Sequence, residues 1–252
     1  MRRWDLLITQ VNDPSFNLAL EEILAYRVGE GIIPPTLRLW KNANCFVIGR
    51  LRARRFIKRI QKVKEEGFSV VERLSGGEAI YQDEGCLNFS IIVPRPYNGW
   101  KWNKLEEIFK VLCSGLIKGL EKLDIYCEHS QVDSFCSGPY DLATGGKKIA
   151  GVSLALRSKF VLIHGTLIVN TDLKKYVATL KKFYGKIEED KITSLEKEAD
   201  RKLQTNELFK NILGSYADLF SIKFVHRSLS SEEKAEAEKL RVKYQLLEKK
   251  VT

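Results

Sequence analysis

The residue best suited to covalent chemistry is Cys136, because it lies in a polar loop of small residues at positions 134–139. The other four cysteines lie in apolar strand or helix patterns, where thiols serve as small inert hydrophobes: Cys45, Cys86, Cys113 and Cys127. A reactive thiol needs a nearby cation to favour the thiolate, and Lys147 or Lys148 could supply one. Taken alone, a loop cysteine is still more often incidental than catalytic.

A second candidate segment covers residues 73–85 and contains the glycine pair Gly76-Gly77. Paired glycines let the backbone approach a ligand and direct amide groups at it. An ordinary hairpin turn is the commoner explanation for Gly-Gly alone, although the flanking Arg73 and Asp83 favour binding. The spacing is neither that of a P-loop nor that of a dinucleotide fingerprint.

The third candidate is His164, which lies in a strand pattern at residues 162–169 and is followed by Gly165. A lone histidine on a strand is more often a structural residue than a base. Gly165 could instead mark the close approach of a ligand. The residues by themselves leave both interpretations open.

Interspersed strands and helices must position these three segments. Strands are predicted at residues 4–11, 36–40, 45–48, 68–72, 79–81, 87–93, 148–156, 160–170 and 222–225. Helices are predicted after a capping region at 12–15, at 53–66, at 103–123 and through most of the Lys/Glu-rich C-terminal part. This order predicts an α+β fold with a mixed, mainly antiparallel sheet flanked by helices. We assign residues 1–220 to a catalytic domain and 221–252 to a short strand and C-terminal helix packed on it.

The composition narrows the classes of partner. The chain has 252 residues and a formal net charge of +10, which favours an acidic partner. Residues 50–64 hold eight Lys and Arg, a pattern typical of a solvated helix face. Nucleic acid is disfavoured as a partner because aromatic residues are not interleaved with these basic residues.

The chain has five widely spaced cysteines and three scattered histidines, which predict neither a disulfide framework nor a metal site. No apolar run approaches the roughly 20 residues that span a bilayer, so a cytoplasmic protein without a membrane partner is expected.

Taken in order, these segments resemble the lipoate–protein ligase and octanoyltransferase superfamily, which shares its fold with biotin–protein ligases. The matching motifs lie at residues 15–22, 35–40, 47–50, 73–88, 147–151 and 164–167. The loop at 135–142 places Cys136 twelve residues before Lys148. It resembles the cysteine-dependent octanoyl and lipoyl amidotransferase branch.

The resemblance implies a biotin/lipoate-protein-ligase-like catalytic domain that moves an octanoyl or lipoyl group through a thioester on Cys136. The donor would be an octanoyl- or lipoyl-carrier protein, and the acceptor a lysine amine of a lipoyl domain, of the H-protein or dehydrogenase E2 type. Lys148 would match the family's acyl-binding lysine, favour the thiolate and stabilise the oxyanion. The substrate-binding residues implied are Arg73, Ser75, Gly76, Gly77, Tyr81, Gly151, His164, Gly165 and Thr166.

Two residues depart from the family's segment: Glu78 replaces its third glycine and Gln82 replaces its histidine. A carboxylate beside an adenylate phosphate is unfavourable, since two unit charges 4 Å apart repel by about 1–4 kcal/mol. Glu78 therefore favours a transferase without a cofactor over an ATP-dependent lipoate ligase, which would need ATP and magnesium and a separate accessory domain. A non-catalytic acyl- or nucleic-acid-binding module is the alternative from another class.

Overall fold

A computed structural model describes residues 1–42, 44–50, 52–100, 102 and 104–245. The strands are β1 (Arg2–Thr9), β2 (Thr36–Trp40), β3 (Cys45–Gly49), β4 (Ser69–Arg73), β5 (Ala79–Gln82), β6 (Cys86–Pro94), β7 (Glu128–His129), β8 (Leu142–Thr144), β9 (Lys147–Leu156), β10 (Phe160–Ile168) and β11 (Ile222–His226). The helices are α1 (Pro14–Gly29), α2 (Ile57–Glu65), α3 (Leu105–Glu121), α4 (Leu173–Tyr184), α5 (Leu195–Glu198), α6 (Thr205–Phe220) and α7 (Ser231–Gln245). Within these ranges, none of the helices is long and apolar enough to cross a membrane.

The central sheet has eight strands in the order β11-β1-β2-β6-β10-β9-β8-β7. The β11–β1 and β1–β2 pairs are parallel, and the remaining pairs are antiparallel. Helices α3 and α6 pack together beside one face of this sheet. The predicted α+β fold with a mixed, mainly antiparallel sheet flanked by helices is confirmed.

A second sheet of three strands, in the order β4-β3-β5, was not anticipated as a separate layer. Its strands lie close to their predicted positions, but strand patterns do not say which strands pair. Helix α1 packs against β6 and β10 of the large sheet and against β4 of the small one. Because α1 lies between the two sheets, its residues 15–25 are all buried, including the polar Asn17, Glu21 and Glu22.

Helix α1 begins within the predicted capping region. The Asp13 carboxylate accepts a hydrogen bond from the backbone N–H of Phe16 at 3.0 Å, and Pro14 occupies the first turn. This capping satisfies an otherwise free amide at the start of the helix. It thereby fixes the helix that carries Glu21 into the space between the sheets.

Strands β9 and β10 form the hairpin that carries Lys148 and the candidate segment around His164. Gly151 lies opposite Thr166 and Gly165 lies opposite Val152. A Cβ atom on Gly165 would lie 2.5 Å from the carbonyl oxygen of Gly151 and 2.6 Å from the Phe89 ring, so only glycine allows this approach of β9, β10 and β6.

Two parts of the chain differ in type from the predicted elements. The basic stretch predicted as one helix at 53–66 begins as a 3₁₀ turn, Ala53–Phe56, before α2. Before the Cys136 loop, the structure adds the short strand β7, which was not predicted and pairs with β8. The helix predicted at 103–123 is α3; its predicted first residue, Asn103, lies outside the described residues.

Strand β11 pairs with β1, and α7 packs on α1. On α7, Lys243 and Tyr244 both donate hydrogen bonds to the buried Glu22 carboxylate. The C-terminal segment therefore contacts both the edge of the large sheet and the central helix.

Candidate active site

A cavity of about 280 Å³ lies between the two sheets beside α1. The structure brings most of the residues singled out from sequence to its wall. Those that line it are Arg73, Gly77, Cys136, Gly151, His164, Gly165 and Thr166. Leu18, Val47 and Ile80 add apolar surface, so the cavity combines an apolar lining with a few convergent polar groups, as small-molecule sites do.

Cys136 is half-buried at the cavity wall and has a left-handed backbone conformation, with φ of 44°. A non-glycine residue in this region is strained and is held there by its surroundings. A Cβ atom placed on Gly77 would lie 3.8 Å from the Cys136 sulfur and would overlap the Arg73 guanidinium. The thiol, the glycine turn and the guanidinium therefore meet at one point.

The other four cysteines lack this setting. Burial raises the pKa of Cys86 and of Cys127 to about 12, and it raises the pKa of Cys45 and Cys113 further. Thiols with raised pKa values carry little thiolate and make poor nucleophiles. Cys136 is the cysteine that lines the cavity.

Lys148 is fully buried behind the Cys136 loop, with all its donors engaged. Its ammonium lies 2.7 Å from the Asp141 carboxylate and donates to the carbonyl oxygens of Phe135 and Cys136, both at 3.0 Å. Asp141 also accepts from the backbone N–H groups of Gly138 and Val152, both at 3.0 Å. The pair ties the loop to β9. Lys147, by contrast, is half-buried at the start of the hairpin.

Arg73 organises the glycine turn from inside. Its guanidinium donates to the Ser75 hydroxyl and to the carbonyl oxygens of Gly76 and Val47, at 2.6–3.1 Å. Ser75 and Gly76 thus lie within the turn and do not line the cavity. Gly77, with φ of 92°, is the glycine of the pair that lines it. The predicted segment 73–77 acts as one hydrogen-bonded unit.

His164 is hydrogen-bonded on both ring nitrogens. Nδ1 lies 2.7 Å from the Glu21 carboxylate, and Nε2 lies 2.5 Å from the Ser75 hydroxyl. Burial opposes ionisation of Glu21, but the facing His164 ring outweighs it, together with the Ser90 hydroxyl. The pKa of Glu21 therefore lies below its ordinary value.

Part of the cavity lining is polar and includes Gln82, Asn88 and Thr166. Gln82 donates to the Thr166 hydroxyl at 2.7 Å, and Thr166 donates to Asn88 at 2.7 Å. Asn42 donates to the Gln82 carbonyl oxygen at 2.7 Å. Gln82, which occupies the position of the family's histidine, is thus a member of a closed hydrogen-bond network.

Glu78 lies at the cavity wall and forms an ion pair with Arg52, at 3.1 Å. Both side chains are partly exposed. The carboxylate that departs from the family pattern is therefore met by a cation supplied from the basic segment before α2. This pairing partly neutralises the charge that was expected to repel a phosphate.

Tyr81 lies away from the cavity. Its ring packs among Phe46, Phe68 and Tyr176, and its hydroxyl donates to Asn44 at 2.9 Å. Strand alternation explains this, because its neighbours Ile80 and Gln82 face the cavity.

Glu21 and Asp141 were missed as site residues by sequence reasoning. Glu21 lies in the motif at residues 15–22, and Asp141 lies in the loop at residues 135–142. A carboxylate within the apolar pattern of α1 was the available signal for Glu21, since a buried charge requires a partner.

Among the described residues, no group of three or more His, Cys, Asp or Glu side chains is arranged to hold a metal ion.

The chain matches the lipoyl protein ligase A/B catalytic domain family over residues 13–217. This match covers most of the chain, and the protein belongs to that family.

The chain is similar to several proteins of known name. It is 27% identical to the octanoyltransferase LipM of Moorella thermoacetica, with 96% of this chain and 95% of that protein covered. It is 32% identical to the octanoyl-[GcvH]:protein N-octanoyltransferase of Kyrpidia tusciae, over 66% of this chain and 61% of that protein. The bipartite lipoate protein ligase of Thermoplasma acidophilum, whose structure was determined in a study that includes its E2 lipoyl domain, has a TM-score of 0.77 at 19% identity, covering 97% of this chain and 94% of that one.

The share of a relative's length that the chain covers varies among the transferases and among the ligases. The chain spans nearly the whole length of the LipM octanoyltransferase, but 53% and 58% of two lipoate-protein ligases that it also matches.

Proposed function

We propose that this protein is an acyltransferase that moves an octanoyl or lipoyl group, through a thioester on Cys136, to the lysine amine of a lipoyl-carrier domain. The observation that carries the proposal is the Cys136 thiol at the wall of a partly apolar cavity, next to Gly77 and Arg73. The names of the similar octanoyltransferases support the same reaction. Acyl transfer by a thiol also explains why a strained cysteine is held at this point.

The reaction has two steps. The Cys136 thiolate attacks the donor's thioester carbonyl, a new C–S bond forms, the donor's own C–S bond breaks, and the donor leaves as a thiolate that takes a proton from solvent. The unprotonated acceptor amine then attacks the acyl-enzyme, a C–N bond forms, the C–S bond to Cys136 breaks, and the sulfur leaves with the proton that the amine gives up. We propose that Arg73, whose side chain lines the cavity, stabilises the developing oxyanion.

Lys148 is proposed to act through the loop. Its ammonium holds the carbonyl oxygen of Cys136 itself, so it fixes the backbone that aims the thiol. Its partner Asp141 accepts from two backbone amides and thereby connects the loop to β9. Lys148 is therefore proposed as a positioning residue.

The acyl chain is proposed to lie along the apolar lining, with its carbonyl at Cys136 and its end toward the polar network of Gln82, Asn88 and Thr166. Burying six methylenes contributes about 5 kcal/mol to binding. Polar groups already paired with one another offer nothing to a methyl end, so the network closes the cavity.

We propose that the reaction needs no ATP and no metal, because a thioester donor is already activated. The donor would be an acylated carrier protein. The acceptor would be a lipoyl domain, as in the names of the GcvH-dependent octanoyltransferase and of the ligase studied with its E2 lipoyl domain. The basic segment before and within α2, one of whose residues, Arg52, lines the cavity, is proposed to bind an acidic surface of either partner.

The decisive experiment is intact-mass spectrometry of the protein after incubation with an octanoyl-carrier donor, with and without ATP and magnesium. Wild-type protein should gain one octanoyl group without ATP, and Cys136→Ser should gain none. Cys127→Ser is the matched control, because Cys127 is another partly exposed thiol and lies outside the cavity. An adduct that survives in Cys136→Ser would defeat the assignment.

An ATP-dependent lipoate ligase is the second candidate, favoured by the fold shared with solved lipoate ligases. It predicts an adenylate formed from free lipoic acid and ATP, and no acyl-enzyme. The same mass measurement distinguishes the two. A protein that forms neither species would be a binding module.

A further inference from the structure

Two tyrosines of α4 bind the backbone of β5, which is an edge strand of the small sheet. The Tyr184 hydroxyl accepts a hydrogen bond from the backbone N–H of Ala79 at 3.0 Å and donates one to the carbonyl oxygen of the same residue at 2.5 Å. The Tyr176 hydroxyl donates to the carbonyl oxygen of Tyr81 at 3.0 Å. Helix α4 thus supplies the partners that an edge strand needs for its backbone groups.

The Tyr184 hydroxyl keeps its proton in this setting. Burial raises its pKa well above the ordinary value for tyrosine, and the nearby Cys136 and Glu78 raise it further. A phenol can accept from an N–H group and donate to a carbonyl oxygen at the same time, whereas a phenolate can only accept. Both contacts with Ala79 therefore form together.

The same two tyrosines pack on Phe135, the residue before Cys136. The centroid of the Phe135 ring lies 6.2 Å from that of Tyr176 and 6.2 Å from that of Tyr184, within the usual range for aromatic pairs. Phe135 is buried, and the Lys148 ammonium lies 4.5 Å from its ring centroid. The loop is therefore attached to α4 one residue before its thiol.

The glycine turn is held at both ends. Arg73 donates to the Gly76 carbonyl oxygen at 2.6 Å, and three residues later Ala79 is bound by Tyr184. Gly77 lies between these attachments, at the point where a Cβ atom would be 3.8 Å from the Cys136 sulfur. A shift of Ala79 would therefore displace the part of the cavity wall that the thiol faces.

We infer that Tyr184 is a positioning residue that sets the placement of the Cys136 thiol relative to Arg73 and the glycine turn. It acts through Ala79 on the turn and through Phe135 on the loop, and it does not line the cavity itself. The inference rests on the proposed function and concerns its first step, formation of the acyl-enzyme. That step needs the attacking sulfur and the group that stabilises the oxyanion to be correctly placed with respect to each other.

The test compares two reactions of the same thiol in Tyr184→Phe, which removes the hydroxyl and keeps the ring that packs on Phe135. Acyl-enzyme formation from an octanoyl-carrier donor is followed by intact mass, and alkylation of Cys136 by iodoacetamide is followed by peptide mapping. Alkylation forms no oxyanion, so it reports on the thiol alone. Acylation should be about tenfold slower, less than the ~100-fold that a displacement of 1 Å can cost, and the alkylation rate should be unchanged.

Tyr216→Phe is the matched control for the loss of a buried tyrosine hydroxyl. Tyr216 on α6 donates to the carbonyl oxygen of Leu112 on α3 at 2.6 Å, and it lies outside the cavity lining. This variant should lower the free energy of unfolding, measured in urea, as Tyr184→Phe does. It should leave both reactions of Cys136 at the wild-type rate.

Three outcomes would overturn the positioning role while the wild type still forms an acyl-enzyme, so that the proposed function stands. They are acylation of Tyr184→Phe at the wild-type rate, equal slowing of its acylation and alkylation, and equal slowing of acylation in Tyr184→Phe and Tyr216→Phe. A wild-type protein that forms no acyl-enzyme overturns the proposed function and the positioning role with it.

Discussion

At the scale of single residues, the buried Lys148–Asp141 ion pair holds the loop that carries Cys136. Lys148→Met should lower the free energy of unfolding by about 3–5 kcal/mol, because it leaves the Asp141 carboxylate buried without its cation. Denaturant unfolding measures this change. Lys147→Met, at the half-buried neighbouring position, should cost within about 0.5 kcal/mol.

Removing both charges of the Lys148–Asp141 pair should lower the free energy of unfolding by less than the sum of the two single substitutions. A double variant, Lys148→Met with Asp141→Asn, leaves neither a lone ammonium nor a lone carboxylate in the interior. Residues in direct contact show such coupling, whereas independent ones add. Strictly additive losses would mean that the pair does not hold the loop.

Glu78 is the residue that we expect to decide whether a nucleotide can bind. Glu78→Gly removes the carboxylate and leaves Arg52 without its 3.1 Å partner, so the cavity wall gains a free cation that suits a phosphate. The variant should form an adenylate from ATP and free lipoic acid where the wild type forms none. Glu72→Gly, which removes a nearby carboxylate outside the cavity lining, is the control. Adenylation by the wild type would instead support the ligase.

Among the elements, β10 depends on Gly165 for its close approach to both neighbouring strands. Gly165→Ala should destabilise the fold by about 1–3 kcal/mol, because the added methyl meets the Gly151 carbonyl and the Phe89 ring. Gly214→Ala on α6 is the opposite case: no heavy atom lies within 4 Å of its added Cβ, so stability should rise by up to about 1 kcal/mol. Urea unfolding measures the free energy of unfolding of both variants. A Gly165→Ala variant as stable as the wild type would argue against the close packing of β10.

The C-terminal strand and helix are proposed to unfold with the catalytic domain as one unit. β11 extends the large sheet, and α7 supplies Lys243 and Tyr244 to the buried Glu22 carboxylate. Calorimetry should therefore show one transition. A chain ending at residue 230 should melt at a lower temperature, since it uncovers α1 and leaves Glu22 without these donors. Two separate transitions in the full chain would contradict the proposal.

For the whole molecule, the net charge of +10 predicts that carrier domains associate through the basic segment at 50–64. Ala53, Ile60 and Val63 form its buried side, which leaves the charged side chains in solvent. Arg54→Glu with Lys58→Glu should lower kcat/KM for an acidic acceptor about tenfold, mainly through slower association, and the loss should shrink at high salt.

The control for that charge reversal is Lys234→Glu with Lys239→Glu on α7. Both lysines are exposed, and the pair changes the net charge by the same amount on another surface. Equal effects of the two pairs would indicate a response to overall charge and no localised docking surface.

The sequence by itself determined most of the elements and the three segments that line the cavity. Hydrophobic alternation, helix capping and glycine turns act over a few residues, so β2 was predicted at its observed bounds and Cys136 stood out from the other cysteines. The chain's own motifs also pointed to the correct family. The start of α2 was missed because a 3₁₀ turn and a helical turn share the same local pattern.

The tertiary structure alone decided which side chains work together. Glu21 meets His164 across 143 residues of sequence, and Ser75 meets it across 89. No local periodicity encodes such pairs, because they follow from the register of β10 and from the packing of α1 between two sheets. The same packing pairs Lys148 with Asp141, since a buried charge is stable only beside a partner that the fold brings to it.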